Sequence, residues 1–126
     1  MNKIEQAVFD KLITVVTPGV AVYLHQAPQE DNGDLLVFWA TGREDITGTA
    51  PISTQEIRVS CYGQVHAAVE TLAAQVQAGL QWWQYGAPGL RLGPLNLANT
   101  DADWESEFNQ FRVTLVWAAQ AVEWSV

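Results

Sequence analysis

The sequence predicts an α+β fold, in which a mostly antiparallel sheet of about four to five strands carries two helices on one face. Three observations indicate this class. Residues 53–83 begin as a strand and continue directly into a helix. Residues 35–40 and 107–120 have the composition or the alternation of strands. The elements follow in the order helix, strand, strand, strand, helix, strand, strand, which is that of an α+β domain.

The first helix is predicted over residues 2–16. Asn2 is placed to cap it, and Glu5 follows three positions later, the arrangement of a capping box. Apolar residues recur at helical spacing at Ile4, Val8, Leu12 and Val15. The sequence Thr-Pro-Gly at 17–19 ends the helix, because proline cannot continue it and glycine accepts a positive φ. A short strand is predicted over 20–24.

Residues 35–40, Leu-Leu-Val-Phe-Trp-Ala, predict a strand that is apolar on both faces. Helices can cover one face. The other is covered either by a partner subunit or, if the strand is central, by loops of the same chain. Residues 41–52 are predicted to form a long loop, rich in Gly and Thr, and a loop of this length between strands is either functional or disordered.

The stretch 53–83 organises the rest of the chain. Ile57, Val59 and Cys61 alternate with polar residues, as in a strand with one buried face. A turn follows, and then apolar residues recur at helical spacing at Val65, Val69, Leu72, Val76 and Leu80. The helix is predicted to end near Trp82 and Trp83.

The C-terminal part predicts two further strands. Residues 90–97 form one, with Pro94 at an edge or a bulge. Residues 98–105 are predicted to be a polar, acidic loop. Residues 107–120 form the last strand, and Trp117 on its apolar face is expected in the core or an interface.

The composition fits one domain spanning residues 1–126 and disfavours several classes of function. The net charge is −8, with only four scattered arginines and two lysines, whereas nucleic-acid binding needs clustered bases. The single cysteine allows no internal disulfide, and the first residues lack the apolar run of a signal peptide. No apolar run approaches the ~20 residues of a membrane span. The chain is therefore expected to be made in a reducing cytoplasm.

Few residues suggest catalysis or metal binding. Cys61 and His66 flank the strand-to-helix turn, where a Cys–His dyad is conceivable, but Cys61 shares the apolar face of its strand and is expected to be inert. Asp101, Asp103 and Glu105 alternate like the start of a calcium loop, yet the required Gly and closing Glu are missing. The sequence therefore predicts no enzyme, no cofactor and no metal.

Aromatic residues and the 41–53 segment are the candidate interface. Neighbouring residues on a helix point about 100° apart, so only one of Trp82 and Trp83 can face the core. The other joins Tyr85 as a contact surface, and Trp83→Ala is expected to weaken assembly while the monomer stays folded. Trp104 is a similar candidate. The full predicted set is Trp82, Trp83, Tyr85, Trp124, Arg43, Glu44, Asp45 and Ile46.

Four segments in order carry a family resemblance. A helix ends before a short strand at 7–24, and Val22 to Gln29 has the form Val-x-x-x-x-Ala-Pro-Gln. The strand Ile57 to Gly63 leads into the helical segment Val69 to Val76, and Phe111 to Leu115 has the form Phe-x-Val-x-Leu. In this layout the chain resembles the small tail-terminator or tail-completion proteins of long-tailed bacteriophages.

The resemblance implies a non-enzymatic virion protein. Such a protein forms a ring, usually a hexamer, at the head-proximal end of the tail tube, stops tube polymerisation and joins the tail to the neck. Its implied partners are further copies, the tail tube protein and a neck or head-completion protein, with no membrane. DNA would pass through the lumen without specific binding, past acidic loops that repel it. Residues 41–53 are the segment expected to reach a neighbour or the tube.

Two other classes remain open. One is a small-ligand or carbohydrate-binding domain that uses Trp82, Trp83 and Tyr85. The other is a dimeric, prophage-encoded enzyme or enzyme inhibitor of unrecognised type.

Overall fold

The computed structural model of the chain describes residues 1–28, 33–44, 52–105 and 109–125. These residues contain two helices and a seven-stranded mixed sheet. The helices are α1 (Lys3–Val15) and α2 (His66–Leu80). The strands are β1 (Ala21–Leu24), β2 (Leu35–Glu44), β3 (Ile52–Gly63), β4 (Tyr85–Ala87), β5 (Leu90–Leu92), β6 (Asn96–Glu105) and β7 (Gln110–Glu123).

The sheet is organised around β7. Its strand order is β1-β2-β3-β7-β5-β4, and β6 also pairs with β7. β3 covers one edge of β7, while β6 and then β5 occupy the other edge in succession. β1 runs parallel to β2 and every other described pair is antiparallel. The α+β class is therefore confirmed, but the sheet is mixed and larger than the sequence predicts.

Two predicted loops are strands instead. Residues 41–44 continue β2, because they pair with Ser53–Glu56 of β3. Residues 98–105 form most of β6, because β7 presents an open ladder to their backbone. Backbone pairing needs no apolar side chain, so a polar sequence does not exclude a strand at the margin of a sheet.

Both helices pack on the same face of the sheet. In α1 the predicted capping box is present, with the Glu5 N–H donating to Asn2 Oδ1 at 2.8 Å and the Asn2 N–H donating to Glu5 Oε1 at 2.9 Å. Phe9 lies against Phe38 of β2, with ring centroids 6.3 Å apart. The sheet side of this core includes Leu36, Phe38, Ile57, Val59, Cys61, Leu115 and Trp117.

The second apolar face of β2 is covered within a single chain. Leu35 and Val37 pair with Tyr62 and Ser60, on the side opposite the helices. They are only 3% and 6% exposed. Of the two explanations that the sequence leaves open, coverage within the chain is therefore sufficient, and β2 needs no partner subunit.

Candidate interaction surfaces

A turn after α2 positions the aromatic residues of the predicted interface. Trp82 has a φ of 63°, which is uncommon for a bulky residue. Its N–H donates to the carbonyl of Leu95 at 2.8 Å, and the N–H of Leu95 donates to the carbonyl of Trp83 at 3.0 Å. The segment before β6 therefore holds the turn in this conformation.

The turn points the two adjacent tryptophans in different directions. Trp82 is 61% exposed. Trp83 is half-buried against the core, and its ring centroid lies 6.1 Å from that of Tyr85. Trp83 is thus the tryptophan that faces the core, and Trp82 is the one available to another molecule.

Tyr85 and Trp124 line one groove at the far end of the sheet. Trp124 is 40% exposed, and its N–H donates to the carbonyl of Gly89 at 3.1 Å, which fixes it beside β5. Arg91 and Gln120 lie in the same groove. Neither Trp82 nor Trp83 is among the lining residues. Of the aromatic set of the carbohydrate-binding alternative, only Tyr85 therefore lines this groove.

Two of the four remaining predicted contact residues lie at the end of β2. Arg43 and Glu44 belong to the β2–β3 ladder, where they pair with Thr54 and Ser53. Asp45 and Ile46 lie outside the described residues. The part of the 41–53 segment that the structure describes is therefore a pair of strands.

The face of the sheet opposite the helices, here called the open face, carries a polar network. Ser60 and Thr114 hydroxyls lie 3.0 Å apart across the β3–β7 ladder. The Arg58 guanidinium lies 5.6 Å from the centroid of the Trp39 ring, and 3.7 Å from Glu56. This surface was not predicted from the sequence, although these residues alternate with the buried positions of their strands.

Arg112 and Asp103 form the strongest ion pair of the open face. Arg112 Nε donates to Asp103 Oδ1 at 2.9 Å, and a second guanidinium nitrogen donates to Oδ2. This bidentate bond to Asp103, helped by a hydrogen bond with Tyr62, raises the pKa of the guanidinium further above its ordinary value. The pair links the start of β7 to the end of β6.

The two residues of the conceivable catalytic dyad are engaged elsewhere. Cys61 is buried in the core, and burial raises the pKa of its thiol to about 12. His66 lies 3.2 Å from Glu70, and its ring contacts Phe111 at a centroid distance of 5.1 Å. Within the described residues there is no group of three or more potential metal ligands. No helix among them is long and apolar enough to cross a membrane.

We expect the Cys61 thiol to be unreactive in the folded protein. At about pH 8 a thiol with a raised pKa has almost no thiolate, and its burial also blocks access. Iodoacetamide should therefore leave the folded chain unmodified, while the urea-unfolded chain reacts completely, as measured by intact mass. Equal rates in the two states would contradict the burial of this residue.

The pair Trp82→Ala and Trp83→Ala should separate contact from core. Trp82→Ala is expected to change the free energy of unfolding by less than about 0.5 kcal/mol, as for an exposed residue. Trp83→Ala should cost about 2 kcal/mol, because it removes half-buried packing against the core. Urea unfolding measures both. Trp82→Ala, rather than the Trp83→Ala variant suggested by the sequence, is thus the appropriate substitution for a binding test.

Comparison with solved structures identifies chains of the same fold. One is a chain from the structure described as "Virion of native gene transfer agent (GTA) particle". It is 21% identical, with a TM-score of 0.66, and the match covers 92% of this chain and 85% of that chain. No protein-family model matches the sequence, and the search of curated proteins found no match. At this level of identity the likeness shows a shared fold.

Proposed function

We propose that this chain is a structural, non-enzymatic protein of a phage-like virion, which forms a ring at the head-proximal end of the tail tube. There it stops tube polymerisation and joins the tail to the neck. The observation that carries the proposal is the likeness, over 92% of the chain, to a chain of a gene transfer agent virion. The order of elements, which resembles that of tail-terminator proteins, supports the specific position in the tail.

The distribution of exposed aromatic residues supports a protein with more than one contact region. The exposed Trp82 lies just beyond the last residue of α2. At the other end, His66 is the first residue of α2 and contacts Phe111, and the exposed Trp104 packs on Phe111. α2 has 15 residues. At 1.5 Å per residue, α2 is about 22 Å long, and one of the two exposed tryptophans is associated with each of its ends. A protein placed between a tube and a neck needs contact surfaces at separate ends.

The charge of the chain supports a position beside DNA without binding to it. The net charge is −8, and repeated copies in a ring would add their fields. An acidic lumen repels phosphates and would let DNA pass without sticking. The proposed ring is a hexamer, which end-on electron micrographs of isolated tail ends would test through their rotational symmetry.

Deletion of the gene tests the proposal most directly. Particles made without the protein should have tails of irregular or excessive length, or tails that are not joined to heads, as seen by negative-stain electron microscopy. Expression of the wild-type chain from a plasmid should restore normal tails. Infectious particles with tails of normal length in the deletion strain would refute the proposed function.

A further inference from the structure

β6 is an exposed strand at the margin of the sheet. It is ten residues long and pairs with β7 on one side. The described part of the chain contains no strand paired to its other side. Nearly all of its described residues are exposed, and only Leu97 is half-buried. Such an edge offers backbone hydrogen-bonding groups to another chain.

The ladder shows which backbone groups of β6 do not bond to β7. The N–H of Gly93 donates to the carbonyl of Gln120, so even-numbered residues of β7 direct their backbone groups towards β5 and β6. Residues of β6 that lie opposite these even-numbered positions form backbone hydrogen bonds with β7. The residues between them direct their backbone N–H and C=O groups away from β7, towards the outer edge of the sheet. Consistently, the N–H of Leu97 is taken by the Gln81 side chain at 3.3 Å, outside the ladder. Beyond the bulge between Leu97 and Asn99, the outward residues are Thr100, Ala102 and Trp104.

The usual protections of an edge are weak in this segment. Residues 96–105 contain neither Lys nor Pro, and the bulge lies at the beginning of the strand, which leaves 99–105 in regular register. The outward residues Thr100 and Ala102 have small side chains, which leave room for an approaching backbone. Trp104 is 45% exposed, and its ring packs on Phe111 with centroids 4.5 Å apart.

The charges on β6 select the partner. Asp101 and Asp103 lie on the open face, where Asp103 is held by Arg112. Within the described residues Asp101 has no ion pair, so its charge is available to a neighbouring strand. On the opposite side, Ala102 and Trp104 present apolar surface. A strand added to this edge would meet a negative row on one face and an apolar row on the other.

A second copy of the chain does not fit this edge. Antiparallel pairing of two β6 strands about Ala102 would place Asp101 of each copy opposite Asp103 of the other, and like charges directly opposite destabilise a sheet. The chain also offers no basic strand of its own. Its two lysines lie in α1, and its arginines lie in the paired strands β2, β3, β5 and β7.

We propose that the outer edge of β6 binds, by strand addition, an extended segment of a different protein in which Lys or Arg alternates with apolar residues. The basic residues would lie opposite Asp101 and Asp103, and the apolar residues opposite Ala102 and Trp104. The outward backbone groups of Thr100, Ala102 and Trp104 would supply the main-chain hydrogen bonds. The inference stands on the geometry of the edge and does not require that the chain closes a tail tube.

Amide hydrogen exchange on the full chain, followed by nitrogen-15 NMR, tests the proposal. The probe is a capped peptide of about seven residues that alternates lysine and valine, a length that spans residues 99–105. With the peptide, exchange of the Thr100, Ala102 and Trp104 amides should slow at least about tenfold. The amides of Asp101 and Asp103 already bond to β7 and should change little. Unchanged exchange at the three outward amides at about 1 mM peptide, a concentration that captures even weak complexes, would overturn the proposal.

Two control peptides separate strand addition from simple charge attraction. Replacing lysine by glutamate should abolish protection, because the acidic row then repels the peptide. Methylation of alternate backbone nitrogens keeps the charge but removes the main-chain bonds, and should weaken binding at least about tenfold. Equal binding of the methylated peptide would overturn the strand-addition mechanism.

A matched pair of variants tests the same edge from the protein side. Ala102→Pro removes an outward N–H and no bond to β7, so the chain should stay folded and lose peptide binding at least about tenfold. Ala102→Val keeps the N–H and should bind normally. If the wild-type chain self-associates and Ala102→Pro abolishes this self-association, a second copy of the chain occupies the edge. That result would overturn the choice of partner. Normal tails in the deletion strain, together with the predicted protection of the three amides, would refute only the tail function.

Discussion

Trp117→Ala is expected to lower the free energy of unfolding by about 3–5 kcal/mol, the largest effect of any substitution considered. Trp117 is fully buried in β7, opposite Ile57 of β3 on one side and Leu97 of β6 on the other. Its truncation opens a cavity where the three strands meet. Domains of this size are stable by about 5–15 kcal/mol, so much of the stability depends on this one side chain. Urea denaturation with a global fit measures the change.

Trp117→Phe is the matched control. The indole Nε1–H has no hydrogen-bond partner among the described residues, so the replacement removes an unsatisfied buried donor while keeping most of the aromatic volume. We expect a loss of about 2 kcal/mol or less. A Trp117→Ala variant as stable as Trp117→Phe would show that the site collapses and that Trp117 is not central to the core.

Gly93→Ala should destabilise the chain by about 2–4 kcal/mol, for two independent reasons. Gly93 has a φ of 97°, a conformation that favours glycine. In addition, a Cβ at this position would lie 2.5 Å from the carbonyl oxygen of Trp83, which is backbone and cannot rotate away. Because this segment also bonds to Trp82, the exposed end of α2 should become more mobile. Thermal unfolding and exchange of the Trp82 amide measure the two effects.

Gly86→Ala provides the comparison for Gly93→Ala. Gly86 lies in β4, and a Cβ there would meet no atom within 4 Å. Its replacement should change the unfolding free energy by less than about 0.5 kcal/mol. If the two variants are equally stable, the close approach of Gly93 to the Trp83 backbone does not constrain the fold.

Local patterns were sufficient to predict which helices and strands occur in the N-terminal two thirds, although not the extension of β2 through residues 41–44. Helix α1 begins at its capping residue Asn2, and the continuous segment β3–α2 follows from alternation and then helical spacing. Each of these signals is contained within about 15 residues of sequence, so no distant partner is needed to recognise it.

Strands that depend on distant partners were not predictable in the same way. β4 and β5 have three residues each, too few to establish an alternation. β6 has few buried side chains and is a strand because β7 lies beside it. The parallel pairing of β1 with β2 likewise has no signature within either segment.

The candidate contact surface shows the same limit. Helical spacing predicts that Trp82 and Trp83 diverge, but which one faces the core depends on the left-handed turn at Trp82. That turn is held by Leu95, thirteen residues away in sequence. The grouping of Tyr85 with Trp124 depends in turn on the pairing of β4, β5 and β7. Sequence alone therefore predicted which aromatic residues are candidates for contact but not their grouping in space.

The way β6 is held has an evolutionary consequence. Most of its side chains contribute little to the core, and its attachment to the sheet is largely main-chain hydrogen bonding to β7. Substitutions in 99–102 should therefore be nearly neutral for folding, as long as they preserve strand conformation. Selection can then change which partner the edge accepts without first passing through an unstable intermediate. Among related chains, we expect this strand to keep its length and register while its sequence diverges with that of the protein it contacts.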